Sequence, residues 1–238
     1  MGNENLKSEY NHQLDFVYNY TSEHLNIEVS PFANFINNYI FIEKITSVEG
    51  RDSTINSGDP ANVFKFKQSN AFLYGSEIFV DFHPHPIDWL HIENSFSFVN
   101  AIKINSTDST RYLPFVPPAH YRVDVRAQTK SIGKSIKNAF VKFSVDHYFA
   151  QNKVYTAYGT EQATPAYTLI GAGIGADLIL SKQQTSPIKL LLNIENLTDV
   201  IYQSHLSRLK YAPINPLSGR QGVFNMGRNF SIKLIYTI

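Results

Sequence analysis

Apolar and polar side chains alternate one by one through most of this chain, and that period of two admits little besides β-strands. In the last segment Phe230, Ile232, Leu234, Tyr236 and Ile238 fall on one side, and Asn229, Ser231 and Lys233 on the other, with Ile235 the exception. Upstream, Ile188, Leu190, Leu192 and Ile194 oppose Lys189, Asn193 and Glu195. Tyr121, Val123 and Val125 oppose His120, Arg122, Asp124 and Arg126, while Val141, Phe143 and Val145 oppose Lys142, Ser144 and Asp146. Each such segment has one face that avoids water and one that seeks it.

The alternation predicts roughly nine strands, at about 9–20, 24–43, 63–82, 88–103, 119–128, 137–149, 166–180, 187–196 and 223–238. The one stretch with a helical look, residues 31–40, reads as strand continuing into loop. Connections alternate in length. Those near 21–23, 83–87, 129–136 and 181–186 are short; those near 44–62, 104–118, 150–165 and 197–222 are long. Such sorting is expected of a transmembrane β-barrel, with short periplasmic turns and long outer loops. The polar faces suit a water-filled lumen, and the apolar faces suit lipid. The chain is rich in rings, with 17 Phe and 14 Tyr, and those near strand ends suit interfacial girdles. The fold class is therefore all-β, an antiparallel up-and-down transmembrane barrel. With no Pro- or Ser-rich linker, residues 1–238 read as one unit.

Composition narrows the chemistry. The net charge of +1 supplies no field to attract nucleic acid. Cysteine is absent, which removes thiol catalysis and Cys-based zinc sites. Ser, His and Asp show no nucleophile-elbow pattern, so no catalysis is expected. Gly171, Gly173 and Gly175 alternate along the polar side of one strand with Asp177. No G-x-x-x-x-G-K accompanies them, so they read as room for a body inside the lumen or a neighbouring side chain, with no cofactor. The polar start, MGNENLKSEYNH, has no apolar core of a signal peptide, and no apolar run is long enough for a membrane helix.

The segment VDFHPHPIDWLHIEN gathers His83, His85, Asp88 and His91. Ligand-type residues make a metal site only when they converge on one point with their far sides supported. Pro84 and Pro86 cannot donate ladder hydrogen bonds, so they end strand pairing here. His91 is expected on the polar side of the next strand, pointing away from the turn. The segment thus reads as a rigid turn with solvated histidines, and no metal site is expected.

Asn196-Leu197-Thr198-Asp199, then Tyr202, then Gly227-Arg228-Asn229-Phe230 opening a final amphipathic strand, resembles the C-terminal end of TonB-dependent outer-membrane receptors. NENLKSEYNHQLDFVYNY, YGSEIFVDFHPHPIDWL and YLPFVPPAHYRVDV are similar to mid-barrel strands of that family. The terminal Ile238 departs from the aromatic residue that commonly ends such barrels. The resemblance implies a barrel of about 22 strands, of which this chain is the C-terminal portion, with the plug domain absent. Strand parity agrees. An odd number of up-and-down strands closes only through a parallel pair, which bacterial single-chain barrels avoid.

The resemblance further implies an outer-membrane receptor of a Gram-negative bacterium. It would take up a scarce nutrient, a ferric siderophore or other iron or metal complex, with energy from the TonB complex reached through the plug region. Outer-membrane lipid and lipopolysaccharide would be further partners. Among outer-loop residues, His205, Arg208, Lys210, Tyr211 and Arg220 are the ligand-binding candidates, because an anionic chelate is held by charge-assisted hydrogen bonds. Their plainer role is to hold the loop together or bind lipopolysaccharide phosphates. The lumen-side charges Arg122, Asp124, Arg126, Lys142, Asp146, Lys189, Glu195 and Lys233 are expected to pair among neighbouring strands or meet plug and water. Two other readings stay open: a self-contained small outer-membrane barrel (adhesin, porin or enzyme), and a secreted β-sandwich binding module.

Overall fold

A computed structural model of the chain describes residues 3–45, 63–106, 110–180 and 186–236. Most of the expected long loop near 44–62, most of the turn near 181–186, and Ile238 lie outside the described residues. The strands are β1 Tyr10–Asp15, β2 Tyr18–Thr21, β3 Leu25–Lys44, β4 Phe64–Phe82, β5 Leu90–Lys103, β6 His120–Ile132, β7 Ile136–Tyr148, β8 Tyr167–Leu178, β9 Ile188–Glu195 and β10 Asn229–Tyr236. They form one antiparallel sheet in the order β1-β3-β4-β5-β6-β7-β8-β9-β10, with β2 also pairing β3. Among the described residues β1 and β10 do not pair, so the sheet is open.

Ten strands appear where about nine were expected, because the first is divided. β1 pairs Asp15 with Phe32 and β2 pairs Tyr18 with Val29, so the register is continuous across the gap. The gap lies opposite Pro31, which has no N–H to give to the ladder; only Phe16 N–H to Pro31 O, 3.0 Å, bridges it. The stretch at 31–40 is strand throughout, within β3.

The register converts alternation into faces. Leu25, Phe82, Ile92, Val125, Phe143, Ala172, Ile194 and Phe230 are successive partners across β3 to β10, an unbroken apolar row. One residue along each strand, Asn26, Asp81, Glu93, Asp124, Ser144 and Gly171 form the adjoining row on the opposite face, polar or small throughout. A slip of one residue would turn every apolar side chain of a strand to the wrong side, so the two faces hold the register.

Two bulges interrupt the ladder. Asn37 and Asn38 oppose the gap between Ala71 and Ser69, and Asn138 and Ala139 that between Asp177 and Gly175. Each has an Asn in the left-handed region, Asn38 at φ 57 and Asn138 at φ 49, a conformation asparagine tolerates better than most residues. Their side chains or backbones are held locally: Asn138 Nδ2 donates to Asp177 Oδ2 at 2.7 Å, and Asn38 N–H to Asn70 Oδ1 at 3.2 Å.

The fully buried apolar cluster is small: Ala71, Ala101 and Leu113, flanked by Tyr39, Leu73 and Val116. It sits on the polar face where the connection after β5 turns back and pairs antiparallel with the end of that strand. Lys103 N–H donates to Arg111 O at 2.7 Å and Leu113 N–H to Ala101 O at 3.0 Å. A barrel keeps its greasy surface outward, so a small interior cluster is what this architecture requires.

Candidate functional site at the long-loop end

On the polar face four of the eight expected charges, Arg122, Asp124, Lys142 and Asp146, pair with one another. The Arg122 guanidinium donates to both oxygens of Asp146 at 3.1 Å and to Asp124 at 2.9 and 3.2 Å. Lys142 Nζ lies 3.6 Å from Asp124, and His120 Nε2 lies 3.1 Å from Asp146. Arg126 stacks on the Phe140 ring at 4.3 Å. The glycine row admits neighbouring side chains. A Cβ on Gly171 would lie 2.5 Å from Ser144 Oγ, and one on Gly175 would lie 2.5 Å from the Phe140 ring.

At the long-loop end of this face, rings stack across strands, His120 on Tyr148 at 4.3 Å and Tyr148 on Tyr167 at 4.7 Å, and Tyr202 of the loop after β9 lies tilted against Tyr167 at 4.6 Å. Beside the last of them opens a concavity of about 680 Å³ whose lining includes Arg122, Lys142, Asp146, Tyr202, Phe224 and Asn225.

The long connections meet over a single carboxylate. Glu161 is buried; its Oε1 accepts the Phe115 N–H at 2.9 Å and lies 2.9 Å from His205 Nε2, while Oε2 accepts the Tyr155 N–H at 3.1 Å. It thereby joins the connections after β5, β7 and β9. Tyr155, fully buried, sends its hydroxyl to Glu43, which also pairs with Lys67. Burial and the Glu43 carboxylate push the Tyr155 hydroxyl far above its usual range, so it stays a neutral donor. The alternation of hydropathy gave no hint of Glu161, because its role depends on three segments far apart in sequence.

The five outer-loop candidates take three different places. His205 and Lys210 are buried: His205 Nδ1 contacts Thr164 Oγ1 at 2.9 Å, and Lys210 Nζ donates to the His205 carbonyl at 2.8 Å. Burial pulls the Lys210 ammonium below its usual range, against the pull of Glu161. Arg208 and Tyr211 share a concavity of about 360 Å³ with Lys44, Thr160 and Gln162. Arg208, exposed, lies 3.8 Å over the Phe115 ring, and the Tyr211 hydroxyl accepts the Gln162 N–H at 3.2 Å. Arg220 is exposed apart from them, 5.7 Å from the Phe224 ring. Lys44, Thr160 and Gln162 were not singled out in the sequence, since each is distant from the residues it faces.

A model of the family described as TonB dependent receptor-like, beta-barrel, matches residues 1–197. No curated protein matches the sequence. Among solved structures, the copper transporter OprC superposes over 97% of this chain and 32% of its own, at 16% identity and a TM-score of 0.75. The FrpB iron transporter from Neisseria meningitidis (F3-3 variant) superposes over 98% and 32%, at 10% identity and a TM-score of 0.64. A G324V mutant of the ferric enterobactin receptor PfeA from Pseudomonas aeruginosa gives 98%, 31%, 16% and 0.60. The chain therefore spans about a third of the length of these proteins. Its open sheet matches part of their barrels, and by the family match the chain belongs to the TonB-dependent receptor β-barrel family.

Proposed function

We propose that this chain is the C-terminal part of an outer-membrane receptor that imports an anionic metal chelate, a ferric siderophore in the first instance, with energy from TonB. The family consists of transporters rather than enzymes, and proteins of this fold include a copper transporter, an iron transporter and a ferric enterobactin receptor. The observation that carries the cargo reading is the 360 Å³ concavity where Arg208 and Tyr211 meet Lys44. Guanidinium, ammonium and phenol together suit an oxygen-rich anion. A bare soft metal ion is a poorer fit, since it prefers thiolate and thioether ligands and this chain has no Cys and only two Met.

In this reading the apolar row faces lipid, the polar face lines the lumen around a plug, and lipopolysaccharide packs around the outer loops. The test is uptake of radiolabelled ferric siderophores by cells producing the whole receptor, with and without TonB. Accumulation of at least one ferric chelate that requires TonB and drops in the Arg208→Ala variant is expected. No TonB-dependent uptake of any iron complex would overturn the proposal.

A further inference from the structure

We propose that the short-turn end of the polar face holds a divalent transition-metal site made by Asp81, His83 and His91, remote from the outer-loop concavity. The register pairs Asp81 with Glu93 and Phe82 with Ile92, so the β4–β5 hairpin is centred on Ile87 and His83 stands opposite His91. His91 is on the polar side as expected, but it meets the turn histidine instead of pointing away. Its Nδ1 lies 3.0 Å from His83 Nε2, which in turn lies 2.9 Å from Asp81 Oδ2. One ligand atom from each of the three lies within 4.8 Å of the others. Two nitrogens bound to zinc at about 2.1 Å in its tetrahedral array stand about 3.4 Å apart, so the histidine pair, at 3.0 Å, has to open by only about 0.4 Å to admit the ion.

The surroundings suit a cation. The second Asp81 oxygen, Oδ1, is buried and takes no hydrogen bond among the described residues, leaving the carboxylate with unused acceptor capacity. On the far side of His91, Nε2 lies 2.6 Å from the Gln128 amide. With that amide turned so that its oxygen accepts the Nε2–H, Nδ1 is left free for a metal, the support that ligating histidines usually have. Glu93 adds a negative charge on the neighbouring strand, against the positive charge of Arg126, the cross-strand partner of His91, whose guanidinium is drawn over the Phe140 ring. Two imidazoles and a carboxylate favour zinc, nickel or copper(II) over calcium or magnesium. The ion would tie β4 to β5 at the mouth opposite the loops.

His85 and Asp88 join a different group with His24 on the turn itself, where His85 and Asp88 are exposed. That group is the rival location. The test is zinc titration of the whole receptor in detergent against a chromophoric chelator, repeated with cobalt(II) read by its visible absorption. One zinc per receptor is expected, lost in His91→Ala, weakened about 10- to 100-fold in Gln128→Leu, and unchanged in His85→Ala. Absence of zinc binding by the unaltered receptor would overturn the proposal without reference to any variant. Binding that survives His91→Ala, or that His85→Ala removes, would overturn it as well.

Discussion

Glu161 and His205 face each other across 2.9 Å, and each side chain is only 1% exposed. With the backbone N–H groups of Phe115 and Tyr155 on the same carboxylate, this pair makes three long loops into one body. A loop surface bound to itself in this way can present Arg208 and Tyr211 at fixed positions, which lowers the ordering cost of binding a chelate.

Removing the histidine should therefore loosen the loops and leave the strands intact. His205→Ala leaves Glu161 with only its two backbone donors and Thr164 Oγ1 without its buried partner, a loss of roughly 2 kcal/mol. Amide hydrogen exchange across residues 151–164 and 203–222 is expected to quicken about thirtyfold, with β4 to β8 unaffected. Uniform quickening across the sheet would show that the pair supports the barrel itself.

In the concavity, Arg208 and Arg220 make a discriminating comparison. Both are exposed cations on the same loop, but Arg208 shares its concavity with Lys44 and Tyr211 while Arg220 does not. Arg208→Ala is expected to weaken ferric-chelate binding about tenfold or more, the loss of one charge-assisted contact of roughly 1.5–3 kcal/mol. Arg220→Ala should stay within about twofold. Fluorescence-quench titration of the whole receptor measures both; equal losses would mean that general positive charge, and not this concavity, attracts the ligand.

Faces and strands were legible in the sequence because hydropathy repeats every two residues whatever the neighbours are. The division of the first strand was not, although Pro31 carried the signal: a missing donor interrupts the strand opposite, not its own. The meeting of His83 and His91 was hidden by a shift of the turn. A turn over 83–87 leaves the two histidines unmatched, whereas centring it on Ile87 pairs them. The His120–Tyr148 stack lay within reach in the same way, since the β6–β7 hairpin is short and fixes its own register. Glu161, Thr160 and Gln162 had no such signal, because long loops impose no register, and Lys44, the last residue of β3, meets them only through that loop's packing.

The apolar row gives a test of orientation. Val125 and Phe143 are partners at its centre, and Asp124 and Ser144 are partners on the adjoining polar row. If the row faces hydrocarbon, Val125→Arg costs about 2–4 kcal/mol near the bilayer midplane. The yield of heat-modifiable, folded barrel should fall sharply, while Ser97→Asn, at a half-buried position of the polar face in β5, should assemble normally. The opposite ranking would place lipid on the other face.

Gly75 tests how closely strands approach on the polar face. A Cβ there would lie 2.2 Å from the Phe98 carbonyl oxygen and 2.8 Å from the Phe32 ring, its partner across β3. The ring can swing aside, but the carbonyl belongs to the β5 backbone and moves only by breaking the ladder. Gly75→Ala alone is thus expected to lower the folded fraction at least as much as the charged Val125→Arg, and Gly75→Ala with Phe32→Ala should recover little of it, read by heat-modifiable migration. Gly173 is the control on the same face, since its nearest neighbour, Asn193 Oδ1 at 3.1 Å, ends a side chain held only by an exposed 3.3 Å hydrogen bond to Glu195; Gly173→Ala should assemble close to normally. Full recovery of Gly75→Ala by Phe32→Ala would mean that the ring, and not the backbone, sets the approach of β4 to its neighbours.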